Sequence, residues 1–433
     1  MMDLKSNVRS DKKASPYYSS RELRSKDERE FELFSQLRHN LRELMPQTPR
    51  LQEQLQGIDI ATLQSREDLA AIPVVRKSTL MHQQHALRGS GDVCEGVFGG
   101  FAPVSWGQVA RVYASPGPIY ELDSSRPDYW RMAQALYAAG IRGGMLVHNC
   151  FSYHFTPAGN MLESGALALG CSVFPGGIGQ TELQVKSMQD LRPQAYTGTP
   201  SFLKIILEKA DEMGVTIDSL KHALFTAEAF TPTMRQWFAE RGIDGYQCYG
   251  TADIGLIAYE TSARDGLVVA EDIILEIVRP GTNEPVPEGE VGEVVVTTLN
   301  PDYPLLRFGT SDMSMILSGH SACGRSNDRI KGWMGRADQS IKVRGMFVHP
   351  EHVAELVKRL DGVSKARIVA DAKVGSENLI LRLERAEATD EAWIAKAESA
   401  AREVIKLRTA VEVLAPGTLP NDGLVIQDQR DYE

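Results

Sequence analysis

Cysteine is scarce in this 433-residue chain: there are five, Cys94, Cys150, Cys171, Cys248 and Cys323, with no C-x-x-C spacing and no clustered histidines beside them. That pattern argues against a zinc site. An odd number of thiols in apolar settings, such as Gly170-Cys171-Ser172-Val173-Phe174, predicts reduced, buried cysteines in a cytoplasmic protein. No apolar run approaches the roughly 20 residues of a membrane span, and the start, MMDLKSNVRSDKKASP, is polar rather than signal-like. Excess positive charge is also missing. With 47 Lys and Arg against 57 Asp and Glu, the formal net charge is −10, which repels a polyanion, and no basic patch offsets it. Neither nucleic acid nor a membrane is therefore an expected partner. No strand is followed by G-x-G-x-x-G, so an NAD-dependent dehydrogenase is a weak reading. Internal repeats and low-complexity tracts are absent as well.

What is present reads as an ordinary globular composition, 42% hydrophobic and 24% charged, long enough for two or three structural units. Residues 1–15 are charged and Ser-rich, with nothing to bury, and predict a disordered tail. Between Ser20 and about Leu55 the spacing of Phe31, Leu33, Phe34, Leu37, Leu41 and Leu44 predicts an amphipathic helix stopped by Pro46. From Gly99 to Tyr259, strand-like runs (109–115, 145–149, 172–175, 195–199, 222–227, 245–249) alternate with helical ones (128–139, 159–169, 180–191, 200–213). That alternation predicts an α/β architecture with largely parallel sheets. From Gly266 to Leu317 short strands with Gly and Pro turns predict a small β-barrel or antiparallel cap. After Gly335 the pattern restarts as a compact α+β unit, with Val343–Val348 as a strand, Pro350–Leu360 as a helix, and further strands and a helix to Leu414. The expected division is a large unit over 16–337 and a small one over 338–433.

Charge is concentrated where neighbouring apolar runs predict strands. Asp312 follows a tight Gly309-Thr310-Ser311 corner, and Arg336, Asp338, Lys342 and Arg344 surround a Gly-Arg-Ala-Asp turn. A carboxylate at a strand end can accept two bonds from a ribose diol, and a nearby arginine can bond the sugar or counter a phosphate. In Tyr246-Gln-Cys-Tyr-Gly-Thr-Ala-Asp, an aromatic ring beside a glycine can stack on a purine, and a later carboxylate can hold Mg²⁺. The segment after the strand 145–149 carries Phe151, Tyr153, His154 and Phe155, an apolar wall with polar tips suited to an aromatic acid, although core packing is the common fate of such rings. The segment 175–182 has the look of a helix start with Thr181 near the cap.

Taken in order, these segments resemble the adenylate-forming ligases, and among them most the phenylacetate-CoA ligase family, over about residues 60 to 430. The resemblance implies a large adenylate-forming α/β domain and a small mobile α+β domain hinged at Asp338. It implies a ligase that joins a carboxylic acid to coenzyme A through acyl-AMP, using ATP and Mg²⁺. By resemblance Tyr249 stacks on adenine, with Gly250 and Thr251 beside the phosphates and Ala227 and Glu228 lining the adenine pocket. Asp312 and Arg336 hold ribose, Asp253 holds Mg²⁺, and Phe151, Tyr153, His154 and Phe155 shape the acid pocket. Lys342 is the catalytic lysine of the small domain, with Arg344 and Gly345 on the coenzyme A side. A homodimer is one possible assembly.

Two departures stand against the family pattern. Its Ser/Thr/Gly-rich phosphate loop ends in lysine, whereas here residues 114–121 read ASPGPIYE. Pro116 and Pro118 remove two N–H donors, Glu121 adds a like charge, and Ser115 and Gly117 are left as a weakened anion site. Leu424 follows Gly423 where the family tail carries its adenylating lysine. Loss of one such contact typically costs about two to three powers of ten in rate. A degenerate scaffold that binds AMP, acyl-AMP or acyl-CoA with little adenylation is therefore the alternative at this point.

Overall fold

The computed structural model of the chain describes residues 15–115, 118–279, 283–336, 340–344, 346–373, 376–420 and 426–430. Ser25 opens the helix Lys26–Leu44 in a capping box with Glu28, and Pro46 ends the run by starting a new, tighter turn. Leu33, Phe34, Leu37 and Leu41 are buried against Leu63, Leu69, Ile72 and Leu306. Phe31, expected in the same stripe, is 72% exposed. It sits roughly 110° round the helix from the centre of that stripe.

In chain order the strands are β1 Val75–Arg76, β2 Val109–Ser115, β3 Ile119–Ser124, β4 Leu146–Asn149, β5 Ser172–Phe174, β6 Ala195–Gly198, β7 His222–Phe225, β8 Asp244–Thr251, β9 Gly255–Glu260, β10 Leu267–Val269, β11 Ile273–Val278, β12 Gly292–Thr298, β13 Phe308–Ser314, β14 Ile316–Leu317, β15 Arg329–Ile330, β16 Ile341–Val343, β17 Met346–Val348, β18 Val363–Lys373, β19 Ser376–Arg385, β20 Thr409–Leu414 and β21 Ile426–Asp428. The backbone of the molecule is a nine-stranded sheet ordered β14-β15-β10-β9-β8-β7-β6-β4-β5. Its half from β8 to β5 is parallel, and the remainder antiparallel. β4, β6 and β7 are short runs buried almost throughout, as strands covered on both faces are. Helices Ala158–Ala168, Thr181–Leu191, Pro200–Glu212 and Pro232–Glu240 make the crossovers. Thr199 and Thr231 cap two of them, each followed by proline at the first helical position. Parallel strands end on the same side, so the segments after β4, β6 and β7 gather along one edge.

Residues 266–317, expected as one small barrel or cap, divide between two sheets. β10 and β14 extend the large sheet, while β11, β12 and β13 join β1 in a four-stranded sheet ordered β1-β13-β12-β11. Asp272, left-handed at φ 65°, turns the chain from one sheet to the other. The segment 343–348, expected as a single strand, is the turn and second arm of a hairpin. Val343 pairs with Met346 and Ile341 with Val348, and Arg344 takes φ 49° where the chain reverses. Beyond it, Ile341, Val343, Val348, Leu356, Ile368, Leu381 and Ile405 close a separate hydrophobic core around the sheet β20-β19-β18-β21. Among the described residues no helix is long and apolar enough to cross a membrane, and all five cysteines are unpaired.

Candidate active site

The segment leaving β4 is fixed by one buried side chain. Asn149 Oδ1 accepts from Thr197 Oγ1 at 3.0 Å, while its Nδ2 donates to Tyr153 Oη at 2.7 Å and to the Gly159 carbonyl at 2.8 Å. Tyr153 Oη in turn donates to Glu163 at 2.7 Å. Glycine is required at 159, since a Cβ there would stand 2.9 Å from the Tyr153 ring and 2.6 Å from the Ser152 carbonyl oxygen. Phe151 is buried and Tyr153 half-buried, but His154 is exposed and Phe155 is 79% exposed at φ 60°. The structure therefore gathers the first two rings and leaves the other two at the rim. The Phe155 carbonyl accepts the Ala114 N–H at 2.8 Å, which ties this rim to the end of β2.

Across the edge, Asp312 on β13 is the meeting point. Its Oδ2 accepts from Tyr249 Oη at 2.8 Å, and its Oδ1 accepts from an Arg336 guanidinium N–H at 3.0 Å and from Trp333 Nε1 at 3.1 Å. Arg336 also donates to the Thr310 carbonyl at 3.1 Å. The expected corner before Asp312 is present, with Ser311 at φ 62°. Burial, with Asp312 beside it, pushes the Tyr249 phenol well above the usual range, so the tyrosine stays a neutral donor. Gly250 lies flush against β9, where a Cβ would meet the Gly255 carbonyl oxygen at 2.6 Å. Thr251 Oγ1 accepts the Ile254 N–H at 3.2 Å, so this hydroxyl shapes its own turn. Ala227 is exposed at φ 72° after β7, and Glu228 beside it accepts the Ser201 N–H at 3.4 Å. Burial first, then Glu377 nearby, raises the Glu228 carboxyl.

The β16–β17 hairpin faces the same charges. Phe347 lies between two cations, the Arg336 guanidinium 5.0 Å and Lys342 Nζ 5.6 Å from its ring centre. Burial lowers the Lys342 ammonium below the usual lysine range; Asp312 and Glu228 pull it back up, and Lys77 and Arg336 push it further down. Arg344 is not drawn into this group. Its N–H and guanidinium donate to Glu377 on β19, at 2.6 and 2.7 Å. Gly117, Asp338, Gly345 and Leu424 lie outside the described residues.

The loop 114–121 takes an unexpected form. β2 and β3 run into a hairpin that carries Glu121 inward, fully buried, and Ser115 Oγ donates to Glu121 Oε1 at 2.6 Å. Asp253, 4% exposed in the turn after β8, accepts from Lys77 Nζ at 2.7 Å. Burial, with Asp253 close by, pushes the Glu121 carboxyl up to about 8. Burial would lower Lys77, but Asp253 and Glu121 outweigh it and hold the ammonium above the usual range. Glu121 Oε2 and Asp253 Oδ1 are buried with no hydrogen-bond partner. Sequence reasoning assigned no role to Lys77 or Trp333. Lys77 lies 176 residues from its partner, and its one signal was a charged pair, Arg76-Lys77, placed where a strand gives way to a helix.

Residues 131–300 match the family model described as AMP-binding enzyme. The phenylacetate-coenzyme A ligase of Thermus thermophilus is 35% identical over 312 residues, covering 69% of this chain and 67% of that one. The phenylacetate-coenzyme A ligase of Aromatoleum evansii is 34% identical over 318 residues, covering 70% and 68%. Among solved structures, 2-hydroxyisobutyryl-CoA ligase in complex with 2-HIB-AMP and CoA in the thioesterification state aligns with TM-score 0.83 at 24% identity, over 96% of this chain and 93% of that one. The same ligase in the postadenylation state with 2-HIB-AMP aligns over the same shares, 96% and 93%, with TM-score 0.70 at 24% identity.

Proposed function

The chain belongs to the phenylacetate-coenzyme A ligase family of AMP-binding enzymes, and on that premise we propose that it is an ATP-dependent carboxylate–coenzyme A ligase. A carboxylate oxygen of the acid attacks the α-phosphorus of ATP and pyrophosphate leaves. The sulfur of coenzyme A then attacks the acyl carbon and AMP leaves. No side-chain nucleophile is needed, so the protein contributes position and charge. The observation that carries the reading is Asp312, a buried carboxylate ringed by Tyr249, Trp333 and Arg336 at the strand-end edge. Two ribose hydroxyls can take the place of the Tyr249 hydroxyl on it, and the tyrosine ring is then free to lie along adenine, beside Ala227 and Glu228. Gly250 lets β8 lie close on β9 beside that ring, and Arg336 faces the sugar.

At the phosphate end, Asp253 supplies a buried oxygen without a partner, and such hard oxygen donors suit Mg²⁺. Mg²⁺ there would neutralise phosphate charge. We assign the acid pocket to the side of Phe151 and Tyr153, with His154 and Phe155 at its rim, and an aromatic acid as the substrate. Residues 16–337 act as the nucleotide-holding domain, and 338–433 as a domain rotating about Asp338. We assign the arrangement of the two units to thioester formation, and the fuller alignment of the fold with the relative in that state supports it. The cytosol is the proposed compartment, in keeping with five unpaired thiols. A scaffold without activity is the weaker reading, because the relatives that match over two thirds of their length are named as ligases. Pyrophosphate release, measured with a panel of aryl and alkyl acids with and without coenzyme A, tests the proposal. Release that depends on an acid supports it, and none with any acid overturns it.

A further inference from the structure

Two buried carboxyl groups and a single ammonium act on one another at the proposed phosphate end of the site. Asp253 arrives from the turn after β8 and Glu121 from β3, and both act on Lys77, which sits 2.7 Å from Asp253 Oδ2. The cluster thus sets two carboxyl groups against one ammonium, at what the ligase reading makes the phosphate end of the site. Glu121 Oε1 is taken by Ser115, but Glu121 Oε2 and Asp253 Oδ1 have no donor at all. Burying carboxyl oxygens without a partner is costly, and one further cation would give both of them a partner. The neighbouring loop cannot supply one. It has no lysine, and two of its positions are prolines without an N–H.

We propose that Glu121 is a second carboxylate ligand, beside Asp253, for the divalent cation that accompanies the nucleotide polyphosphate, with Lys77 as the counter-ion the two share. The inference rests on the ligase reading above. A small divalent cation of this kind is held by one or two carboxylates together with substrate phosphates. Among the described residues no group of three or more His, Cys, Asp and Glu could hold a metal unaided, so the remaining ligands come from the nucleotide. With the cation in place the cluster is net positive and attracts the phosphates. The glutamate that looks like a defect in the loop is then the replacement for what the loop lacks.

Mn²⁺ as the probe, followed by the loss of its free electron-paramagnetic signal in the presence of α,β-methylene-ATP, tests this in the full chain. Glu121→Gln keeps the size of the side chain and removes its charge. It should weaken Mn²⁺ uptake by the protein–nucleotide complex at least about tenfold to a hundredfold, the range already seen when only a partner that orients a metal ligand is lost. Affinity for AMP without divalent cation should stay within about twofold, which also reports that the variant is folded. Mn²⁺ uptake unchanged in Glu121→Gln but lost in Asp253→Asn overturns Glu121 as a ligand and leaves the nucleotide site standing. Wild-type protein that takes up neither AMP nor the analogue overturns both. If Glu121→Gln no longer holds AMP, Glu121→Asp decides. Mn²⁺ uptake kept by that shorter carboxylate supports the ligand role, and uptake lost together with AMP refutes it.

Discussion

Asp312 receives three hydrogen bonds on two oxygens, from a phenol, an indole and a guanidinium, while remaining 8% exposed. Such a carboxylate is held still before any ligand arrives, which is what a diol-binding group requires. Asp312→Ala removes the acceptor and also releases Arg336 and Trp333 from their common anchor. We predict that it weakens AMP binding by about 1.5–3 kcal/mol, the range for a charge-assisted hydrogen bond. Isothermal calorimetry that finds the wild-type affinity in this variant would remove Asp312 from the nucleotide site. The residue was legible in the sequence because it sits in its own corner and strand, with its arginine 24 positions on. Lys77 was not, because only the pairing of β1 with β13 brings the start of its helix to the site. Trp333 was visible as a residue, but nothing in its neighbourhood pointed its indole at Asp312.

Elements with a strong apolar signal were legible, and those whose role depends on a turn were not. The crossover helices and strands β4 to β8 follow from alternating buried runs. The hairpin β16–β17 was read as one strand, since an apolar stretch does not show where Arg344 adopts positive φ. Likewise β3 was read as the tail of a phosphate loop, and its pairing with β2 is what carries Glu121 inward. A quieter element-scale feature lies before the helix Met132–Ala138. Asp128, at φ 49°, accepts the Ala133 N–H, yet burial outweighs that bond and pushes its carboxyl up to about 6, from 3.8. The folded state thus keeps a proton that the unfolded chain has lost, and stability falls as pH rises from 3.8 through about 6. Asn fits the same backbone and cannot ionise. Allowing for partial exposure and for the lost charge at a helix start, Asp128→Asn should stabilise the protein by about 1–2 kcal/mol at pH 7.5. The gain should vanish near pH 4. Denaturant melts at both pH values check it, and a gain of equal size at each would contradict the burial argument.

At the scale of the whole molecule, the strand-end edge of the large sheet meets a small unit whose Lys342 feels the charges of Asp312 and Glu228. Burial lowers that ammonium while two carboxylates draw it back up, and the proposed function gives it to the thioester-forming step. The family and the α/β architecture were legible because ordered segments along most of the chain carry them. The meeting of the two units was not, because it depends on contacts between residues far apart in sequence. The central claim is that the acid itself attacks the α-phosphorus, and an oxygen label follows that bond directly. The protein is given ATP, coenzyme A and phenylacetate labelled with ¹⁸O in its carboxylate, and the products are read by mass spectrometry. The account predicts one ¹⁸O in each AMP released, formed with pyrophosphate and an equal amount of phenylacetyl-coenzyme A. Label in inorganic phosphate with ADP as the partner, or thioester formed beside unlabelled AMP, would contradict it.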